Sequence, residues 1–267
     1  MSVGLRVLRH GPRGRALSAV FIPGVVVCLL AVGGLKADAA GGAARVTPIY
    51  NPPVLAGQEA STISGWCSGG VYGRHGDQIV LTSSGHCASE GQPDVDPADG
   101  SVIGVFGPIS EAATCAHPGY RCTASDMNYL IVAPDHIPWG HLNEVDMGVG
   151  GYRVIAPGTK PLECTDVHVG DEVEFDGRRI YRAGQVLWQS KYLPPVNLDP
   201  IYFPCITVAD IHAATGDSGG VVLVNGQLAG IASRRFGDLL GFTPLGSGLD
   251  ELGVTLCDSP NCGLTPP

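Results

Sequence analysis

The chain has 267 residues, of which 44% are hydrophobic and 15% charged, and it contains 39 glycines and 21 prolines. This composition allows a substantial core but does not favour a helical bundle, and it predicts a β-rich fold with many turns. The formal net charge of −9 at pH 7 argues against nucleic acid as a partner.

Residues 1–39 differ from the rest of the chain. Four arginines within the first fifteen residues precede an apolar run from Ala16 to Leu35, and Ala37-Asp38-Ala39 follows. This is the layout of a secretory signal with a small-residue cleavage site. A run of about twenty apolar residues also suffices to span a bilayer, so an uncleaved anchor is the alternative. Without residues 1–39 the chain keeps 11 Lys and Arg against 24 Asp and Glu. We expect a secreted or cell-envelope protein.

The cysteines indicate the same compartment. Cys28 lies in the apolar run and leaves an even number, and an even number in an exported chain predicts disulfides. The eight are Cys67, Cys87, Cys115, Cys122, Cys164, Cys205, Cys257 and Cys262. The sequence alone does not fix their pairing. A zinc site from Cys115, His117 and Cys122 is an alternative, although its spacing is not that of a standard zinc motif.

The first segment that contains a candidate catalytic residue leads to His86. A strand-like run from Gln78 to Thr82 leads into small residues, then His86 and Cys87. A disulfide at Cys87 would fix the backbone beside the imidazole, as a general base requires. Five other histidines lie among Gly, Pro or charged residues and are expected in exposed loops: His75, His117, His136, His141 and His168.

A carboxylate beside a buried strand is needed to orient such a histidine. Asp126 fits best because the strand-like, mostly apolar run Met127 to Val132 follows it. A capping role for Asp126 after Ser125 is the alternative. The other nearby aspartates look solvated or lie between Pro and His: Asp94, Asp96, Asp99 and Asp135.

Strand-like runs recur along the chain, and no long helical segment is expected between them. They include Gln78–Thr82, Tyr129–Val132, Glu172–Phe175, Arg182–Gln189 and Gly220–Val224. The Pro- and Gly-rich stretch from Pro134 to Gly151 is predicted to connect two halves of the fold.

The motif Gly216-Asp217-Ser218-Gly219-Gly220 carries the strongest chemical signal. Flanking glycines let the backbone approach a substrate carbonyl, so the N–H groups of Gly216 and Ser218 are candidates for an oxyanion hole. The motif also satisfies Gly-x-Ser-x-Gly of the α/β-hydrolases, but that fold needs its histidine after the serine. The last histidine here is His212. A plain Gly-rich turn before the apolar run Val221–Val224 is the other alternative.

The order His86, Asp126, Ser218 resembles that of the chymotrypsin-like serine proteases, most closely the secreted bacterial streptogrisin and α-lytic branch. Several segments between Val54 and Cys257 carry this resemblance. Val54-Leu55-Ala56-Gly57-Gln58-Glu59-Ala60 resembles the mature start, Val169 to Val173 and Gly184-Gln185-Val186 resemble strands of the second barrel, Gly230 to Ser233 resembles the substrate-pairing strand, and Leu252 to Leu256 resembles the last strand.

The resemblance implies an all-β fold of two antiparallel β-barrels with the active site at their junction. Together with the composition of the first 39 residues, it divides the chain into a signal or signal anchor (1–39), a short extension (40–53), an N-terminal barrel (54–145), a C-terminal barrel (146–257) and a tail (258–267). It matches Cys67 and Cys87 to a pair that brackets the histidine loop. The pairs we expect are Cys67–Cys87, Cys115–Cys122, Cys164–Cys205 and Cys257–Cys262.

The sequence departs from the family pattern around the substrate pocket and before His86. Three residues instead of two separate Thr82 from His86, which predicts a bulge. Ala214 replaces the cysteine usual upstream of the serine motif. The resemblance places His212 at the pocket base, with Ser233, Arg234 and Arg235 as further substrate-binding residues. Because His212, Arg234 and Arg235 can carry positive charge, we expect the pocket to prefer an acidic side chain of the substrate. Asp217 is expected to pair with a buried arginine.

The residues and the resemblance together predict a monomeric secreted serine endopeptidase acting on proteins or peptides, without a metal or cofactor. His86 would be the general base, Asp126 its orienting partner and Ser218 the nucleophile that forms an acyl-enzyme. The alternatives are a catalytically weak or inactive relative acting as an extracellular binding module, and an exported esterase of the same fold.

Overall fold

The computed structural model describes residues 59–62, 65–96, 99–110, 121–177, 180–190 and 201–267. The predicted signal, the extension and Cys115 lie outside these residues. In the described part of the chain, no helix combines the length and the apolar character needed to cross a membrane.

The described residues form short strands with one α-helix among them. The strands of the first half are β1 (Glu59–Thr62), β2 (Gly65–Ser68), β3 (Tyr72–His75), β4 (Gln78–Ser84), β5 (Pro93–Val95), β6 (Val102–Phe106), β7 (Arg121–Cys122), β8 (Met127–Val132), β9 (Glu144–Asp146) and β10 (Tyr152–Val154). Those of the second half are β11 (Glu172–Gly177), β12 (Ile180–Ser190), β13 (Ile201–Tyr202), β14 (Ile206–His212), β15 (Val221–Val224), β16 (Gln227–Phe236), β17 (Leu239–Pro244) and β18 (Thr255–Leu256), with helix α1 (Leu245–Leu252) before β18.

An eight-stranded antiparallel sheet makes up the first half, in the order β18-β3-β4-β8-β6-β5-β1-β2. Strand β4 is buried from Ile79 onward, as its apolar residues predict. The last strand, β18, joins this sheet through β3. The sequence placed Leu252 to Leu256 in the C-terminal barrel, and this was wrong: Leu252 ends α1, and Thr255 and Leu256 return to the first half.

The second half is a closed antiparallel barrel of six strands, β11-β12-β14-β17-β16-β15. The predicted runs Glu172–Phe175, Arg182–Gln189 and Gly220–Val224 lie in or alongside β11, β12 and β15. All four residues of β15 are buried because the strand lies between β11 and β16 and packs on both faces. The strands close on one another, so the barrel has no free edge.

Residues 133–171 connect the two halves. The stretch predicted as the connection, Pro134 to Gly151, is its first part and contains two 3₁₀ turns and β9, which pairs with β10. His136 lies in the first of these turns and is buried, so its prediction as an exposed loop residue was wrong.

One hydrophobic core joins the halves. It contains Val80 and Met127 from the first sheet, Val221 and Ile231 from the barrel, and Leu249 from α1. Separate clusters fill the interior of each half. Because buried apolar surface stabilises at about 25 cal/mol per Å², this shared core holds together the elements that carry His86, Asp126 and Ser218.

Candidate active site

His86 lies in a 3₁₀ turn, Gly85–Cys87, directly after β4. Strand β4 pairs with β8 in an unbroken register from Val80 opposite Ile131 to Ser84 opposite Met127. The bulge predicted before His86 was therefore wrong. Ser83 and Ser84 simply continue the strand, and the chain turns only at Gly85.

Gly85 is required by its surroundings. A Cβ at this position would lie 2.7 Å from Cγ2 of Ile109 and 2.8 Å from Oδ1 of Asp126. The Gly85 N–H donates to the Asp126 carbonyl at 2.9 Å. This bond brings the turn bearing His86 alongside the start of β8. The disulfide Cys67–Cys87 ties the other end of the turn to β2.

Asp126 immediately precedes β8 and is 1% exposed. Its Oδ2 lies 2.5 Å from Nδ1 of His86 and accepts a second hydrogen bond from Oγ of Ser233 at 2.8 Å. An ionised carboxylate only accepts hydrogen bonds, so Nδ1 of His86 carries the proton. Nε2 is then the free acceptor in the neutral ring.

The surroundings of Asp126 keep it charged. Burial by itself raises the pKa of this carboxyl, but the charge and hydrogen bond of His86, the charge of Arg234 and the Ser233 hydroxyl together hold the pKa below its ordinary value. A buried carboxylate that stays ionised stabilises a positive charge on the neighbouring imidazole.

Ser218 lies in the turn between β14 and β15, from the second half of the fold. Its Oγ is 2.9 Å from Nε2 of His86. Asp126, His86 and Ser218 thus form one hydrogen-bonded chain that crosses between the halves. In this chain the imidazole can accept the serine proton while the carboxylate stabilises the resulting imidazolium.

The N–H groups of Gly216 and Ser218 flank the serine side chain. Gly216 has φ +97°, a conformation that favours glycine. Within the described part of the chain, neither N–H donates to a protein acceptor. Two uncommitted backbone donors beside a nucleophile can bind the oxyanion of a tetrahedral intermediate.

Ser68 at the end of β2 fixes the peptide units next to these donors. Its N–H donates to the Ser218 carbonyl at 2.7 Å, and its Oγ donates to the Gly216 carbonyl at 2.8 Å. Its own carbonyl accepts from Oγ of Ser83 at 3.0 Å. Ser68 was not among the residues that the sequence singled out, because an isolated serine shows no sign of contacts 148 positions away.

Asp217 has the arginine partner that the sequence required but did not identify, although this arginine is partly buried and not fully buried as expected. Arg182 on β12 donates to its Oδ2 at 2.5 Å, and the Ala214 N–H donates to the same oxygen at 2.6 Å. The side chains are 16% and 3% exposed. This pair anchors the loop that carries Gly216 and Ser218 to the barrel wall.

A cavity of about 520 Å³ opens beside Ser218. Residues 213–218 and 232–235 line it together with Leu240, Cys67, His86 and Cys87. Of the predicted substrate-binding residues, Ser233, Arg234 and Arg235 line this cavity. His212 does not: it is exposed at the end of β14. Ser233 also has a second contact that the sequence did not reveal, its hydrogen bond to Asp126.

Three of the expected disulfides are present: Cys67–Cys87, Cys164–Cys205 and Cys257–Cys262. The fourth involves Cys115, outside the described residues, as does His117 of the alternative zinc site. Among the residues that the structure does describe, no group of three or more His, Cys, Asp or Glu is arranged to hold a metal ion.

The architecture matches solved structures of bacterial serine proteases. Thermobifida fusca Protease A superimposes with a TM-score of 0.58 at 21% identity, over 76% of this chain and 98% of that one. A glutamic acid specific serine protease gives 0.56 and 21%, over 76% and 100%. An α-lytic protease homologue, N4, gives 0.53 and 18%, over 76% and 98%.

The chain has the chymotrypsin-like fold. The predicted all-β double-barrel architecture and the resemblance to the streptogrisin and α-lytic branch are confirmed at this level. No protein-family model matches the sequence, and no curated protein matches it either. A shared fold at this low identity does not by itself determine the activity, which depends on the residues of the site.

Proposed function

We propose that this protein is an exported serine endopeptidase that cleaves peptide bonds through His86, Asp126 and Ser218. The observation that carries this proposal is the hydrogen-bonded chain from Asp126 through His86 to Ser218, with two uncommitted N–H groups beside the serine. The serine protease structures that share the fold support the same reaction class. The three disulfides support an oxidising, extracellular compartment.

In the acylation step, Nε2 of His86 takes the proton from Ser218 while Oγ attacks the substrate carbonyl. The N–H groups of Gly216 and Ser218 donate to the oxyanion that forms, and each such donor contributes roughly 3 kcal/mol to lowering the barrier. The imidazolium then gives its proton to the leaving amine as the C–N bond breaks. Asp126 remains ionised and holds Nδ1–H throughout.

The deacylation step repeats the chemistry with water. His86 removes a proton from a water molecule that attacks the acyl-enzyme, and the same two N–H groups bind the second oxyanion. The proton returns to Oγ of Ser218 when the ester bond breaks, so the enzyme is regenerated and an acid is released. The two steps together use groups of the chain, the substrate and one water molecule.

The binding-module hypothesis was based on two features, the inserted residue before His86 and the altered substrate pocket. The unbroken register of β4 with β8 removes the first, because Nε2 lies within hydrogen-bond distance of Ser218. One structural neighbour is named for specificity toward glutamic acid and for a histidine triad in substrate binding. In this chain His86 is the histidine among the residues lining the cavity, so an acidic preference would need other cations.

Labelling with a fluorophosphonate tests the proposal. We expect a covalent adduct on Ser218 in the folded protein and hydrolysis of a peptide library, both abolished in Ser218→Ala and His86→Ala. Asp126→Asn should lower kcat about 10⁴-fold. Ser89→Ala, an exposed serine outside the site, serves as the control with unchanged activity. Folded protein that neither labels nor cleaves would contradict the proposal.

A further inference from the structure

The cavity beside Ser218 has an unusual charge for this chain. The protein is acidic, with 25 Asp and Glu against 16 Lys and Arg. Two arginines nevertheless line the cavity, Arg234 and Arg235, both on β16 directly after Ser233. The acidic residue in the lining is Asp217, which is buried and paired with Arg182.

Neither cavity arginine forms a hydrogen bond or ion pair with a described residue, although the charge of Arg234 acts on the buried Asp126 carboxylate. Arg235 is exposed, and no hydrogen bond or ion pair joins it to the described part of the protein. Arg234 is half-buried, with its guanidinium carbon 5.7 Å from the centre of the Phe203 ring. Its Nε is buried and donates to no described residue. A buried guanidinium donor without a protein acceptor is unfavourable until an anion or water occupies it.

The remaining walls suit a small or medium side chain. Ala213, Ala214 and Thr215 form one side, and Leu240 lies in the lining together with Ala232. These residues offer no carboxylate that would attract a cation and no aromatic ring that would stack on one. A carboxylate is the group that satisfies a planar guanidinium with two parallel hydrogen bonds.

We propose that this cavity binds an acidic side chain of the substrate, at the residue whose carbonyl Ser218 attacks, through Arg234 and Arg235. The inference rests on the proposed peptidase function and adds to it the substrate class. Neither arginine takes part in the bond-breaking steps. They bind the substrate carboxylate and thereby place the adjoining carbonyl against Ser218 and the two N–H groups.

The test uses internally quenched peptides that differ only at the residue before the cleaved bond: Glu, Gln, Asp, Asn, Leu or Lys. We expect kcat/KM for Glu to exceed that for Gln about 10- to 100-fold, as charge-assisted hydrogen bonds imply. Mass spectrometry of the products fixes the cleaved bond. The preference should shrink as NaCl is raised from about 0.05 M to 1 M, because the cavity is open to solvent.

Variants assign the preference to its residues. Arg235→Gln should reduce the Glu-to-Gln ratio about tenfold, and Arg235→Glu should favour Lys instead. Arg234→Gln should reduce the ratio and also lower kcat, because its charge helps to keep the Asp126 pKa low. Arg74→Gln removes one positive charge from β3, away from the cavity, and should leave the ratio unchanged.

Three results would overturn the inference: Gln cleaved as well as Glu, a ratio that survives in both arginine variants, or a preference that appears only at a residue further from the cleaved bond. Fluorophosphonate labelling separates these from failure of the proposed function. Labelled protein without an acidic preference refutes this inference alone, whereas unlabelled Ser218 refutes the peptidase itself.

Discussion

The hydroxyl of Ser68 donates to the carbonyl oxygen of Gly216 at 2.8 Å, and the two residues are 148 positions apart in the sequence. The bond crosses from the first sheet to the loop of the serine. It holds the peptide unit between the two N–H groups that flank Ser218. The position of the candidate oxyanion hole therefore depends on a residue of the opposite half of the fold.

Replacing Ser68 by Ala should lower kcat about tenfold while KM stays within about twofold. The change leaves the Gly216 carbonyl without its donor, so the adjacent N–H groups lose alignment with the oxyanion, and small displacements at a reacting centre carry large penalties. The substrate-binding walls are untouched. Steady-state kinetics on one good peptide measures both parameters.

Ser83→Ala is the matched control for this prediction. The buried Ser83 hydroxyl donates to the Ser68 carbonyl but makes no hydrogen bond to the loop that carries Ser218. Both variants should lose about 1–2 kcal/mol of stability, and only Ser68→Ala should lose kcat. Equal kcat losses in the two variants would show that a general loosening around Ser68, and not the loss of the hydrogen bond to the Gly216 carbonyl, lowers kcat.

Replacing Ser233 by Ala should weaken the site through Asp126. The hydroxyl donates to Oδ2 at 2.8 Å, and its loss raises the pKa of Asp126 toward the ordinary value. A carboxyl with a lowered pKa in the folded state contributes stability above the unfolded pKa, and this contribution is lost as the pH falls through the folded pKa. The variant should thus be about 1–3 kcal/mol less stable than wild type at neutral pH.

Urea unfolding at several pH values checks this sign. The stability difference between wild type and Ser233→Ala should narrow as the pH falls below about 4, because the folded carboxyl becomes protonated first in the variant and at lower pH in the wild type. A difference that stays constant down to about pH 2 would mean that the hydroxyl acts by packing alone. Thr82→Val is the control. It removes a buried hydroxyl that donates to the Val71 carbonyl, and its effect on stability should not depend on pH.

Much of this site could be predicted from local sequence. The serine between glycines, the histidine beside a cysteine and the aspartate before an apolar run each have a pattern within a few residues, and the structure brings the three together. The strands next to these residues could be predicted for the same reason, because a buried strand is a continuous apolar run. The order of the three along the chain then excluded the α/β-hydrolase alternative.

Contacts between distant segments were not predictable in this way. The bulge before His86 was inferred by counting from Thr82, but the pairing of β4 with β8, which decides the register, is a long-range property. His212 was placed at the pocket base from its position before the serine, yet it lies exposed at the end of β14. Helix α1 had a local signal that was missed: Leu245, Leu249 and Leu252 follow helical spacing and are all buried.

Replacing Arg182 by Gln should destabilise the fold and inactivate the site together. The change leaves the Asp217 carboxylate buried at 3% exposure without its partner. Breaking one side of such a pair lowers the free energy of unfolding by about 3 kcal/mol or more. The loop from Ala214 to Ser218 then loses its anchor to β12, so kcat should fall as well. Chemical denaturation and peptide kinetics measure the two effects.

Two further variants show whether the buried charge is the cause. Arg182→Gln combined with Asp217→Asn removes the unpaired carboxylate and should recover part of the stability. Arg153→Gln breaks the more exposed pair with Glu174, and should change stability by less than about 1 kcal/mol. If the single Arg182 variant were as mild as the Arg153 variant, the pair would not anchor the loop.

Replacing Asp94 by Asn should stabilise the protein at neutral and alkaline pH. Asp94 on β5 is fully buried, and neither side-chain oxygen accepts a hydrogen bond of ordinary geometry in the described structure, although the Val95 N–H lies close enough to act on its pKa. Burial raises the pKa of this carboxyl to about 7. The Val95 N–H lowers the pKa, whereas the negative charge of Asp96 raises it further. A raised pKa in the folded state means that stability is greatest below the unfolded pKa near 3.8 and falls as the pH rises toward about 7. Asparagine carries no charge, so the variant should not lose stability as the pH rises. It should be up to roughly 4 kcal/mol more stable than wild type at about pH 8 and little changed at about pH 4.

Asp77→Asn, at an exposed turn of the same sheet, is the control for Asp94→Asn and should show no such pH-dependent gain in stability. An Asp94 variant that is less stable than wild type at about pH 8 would show that the carboxylate has a favourable partner in the folded protein.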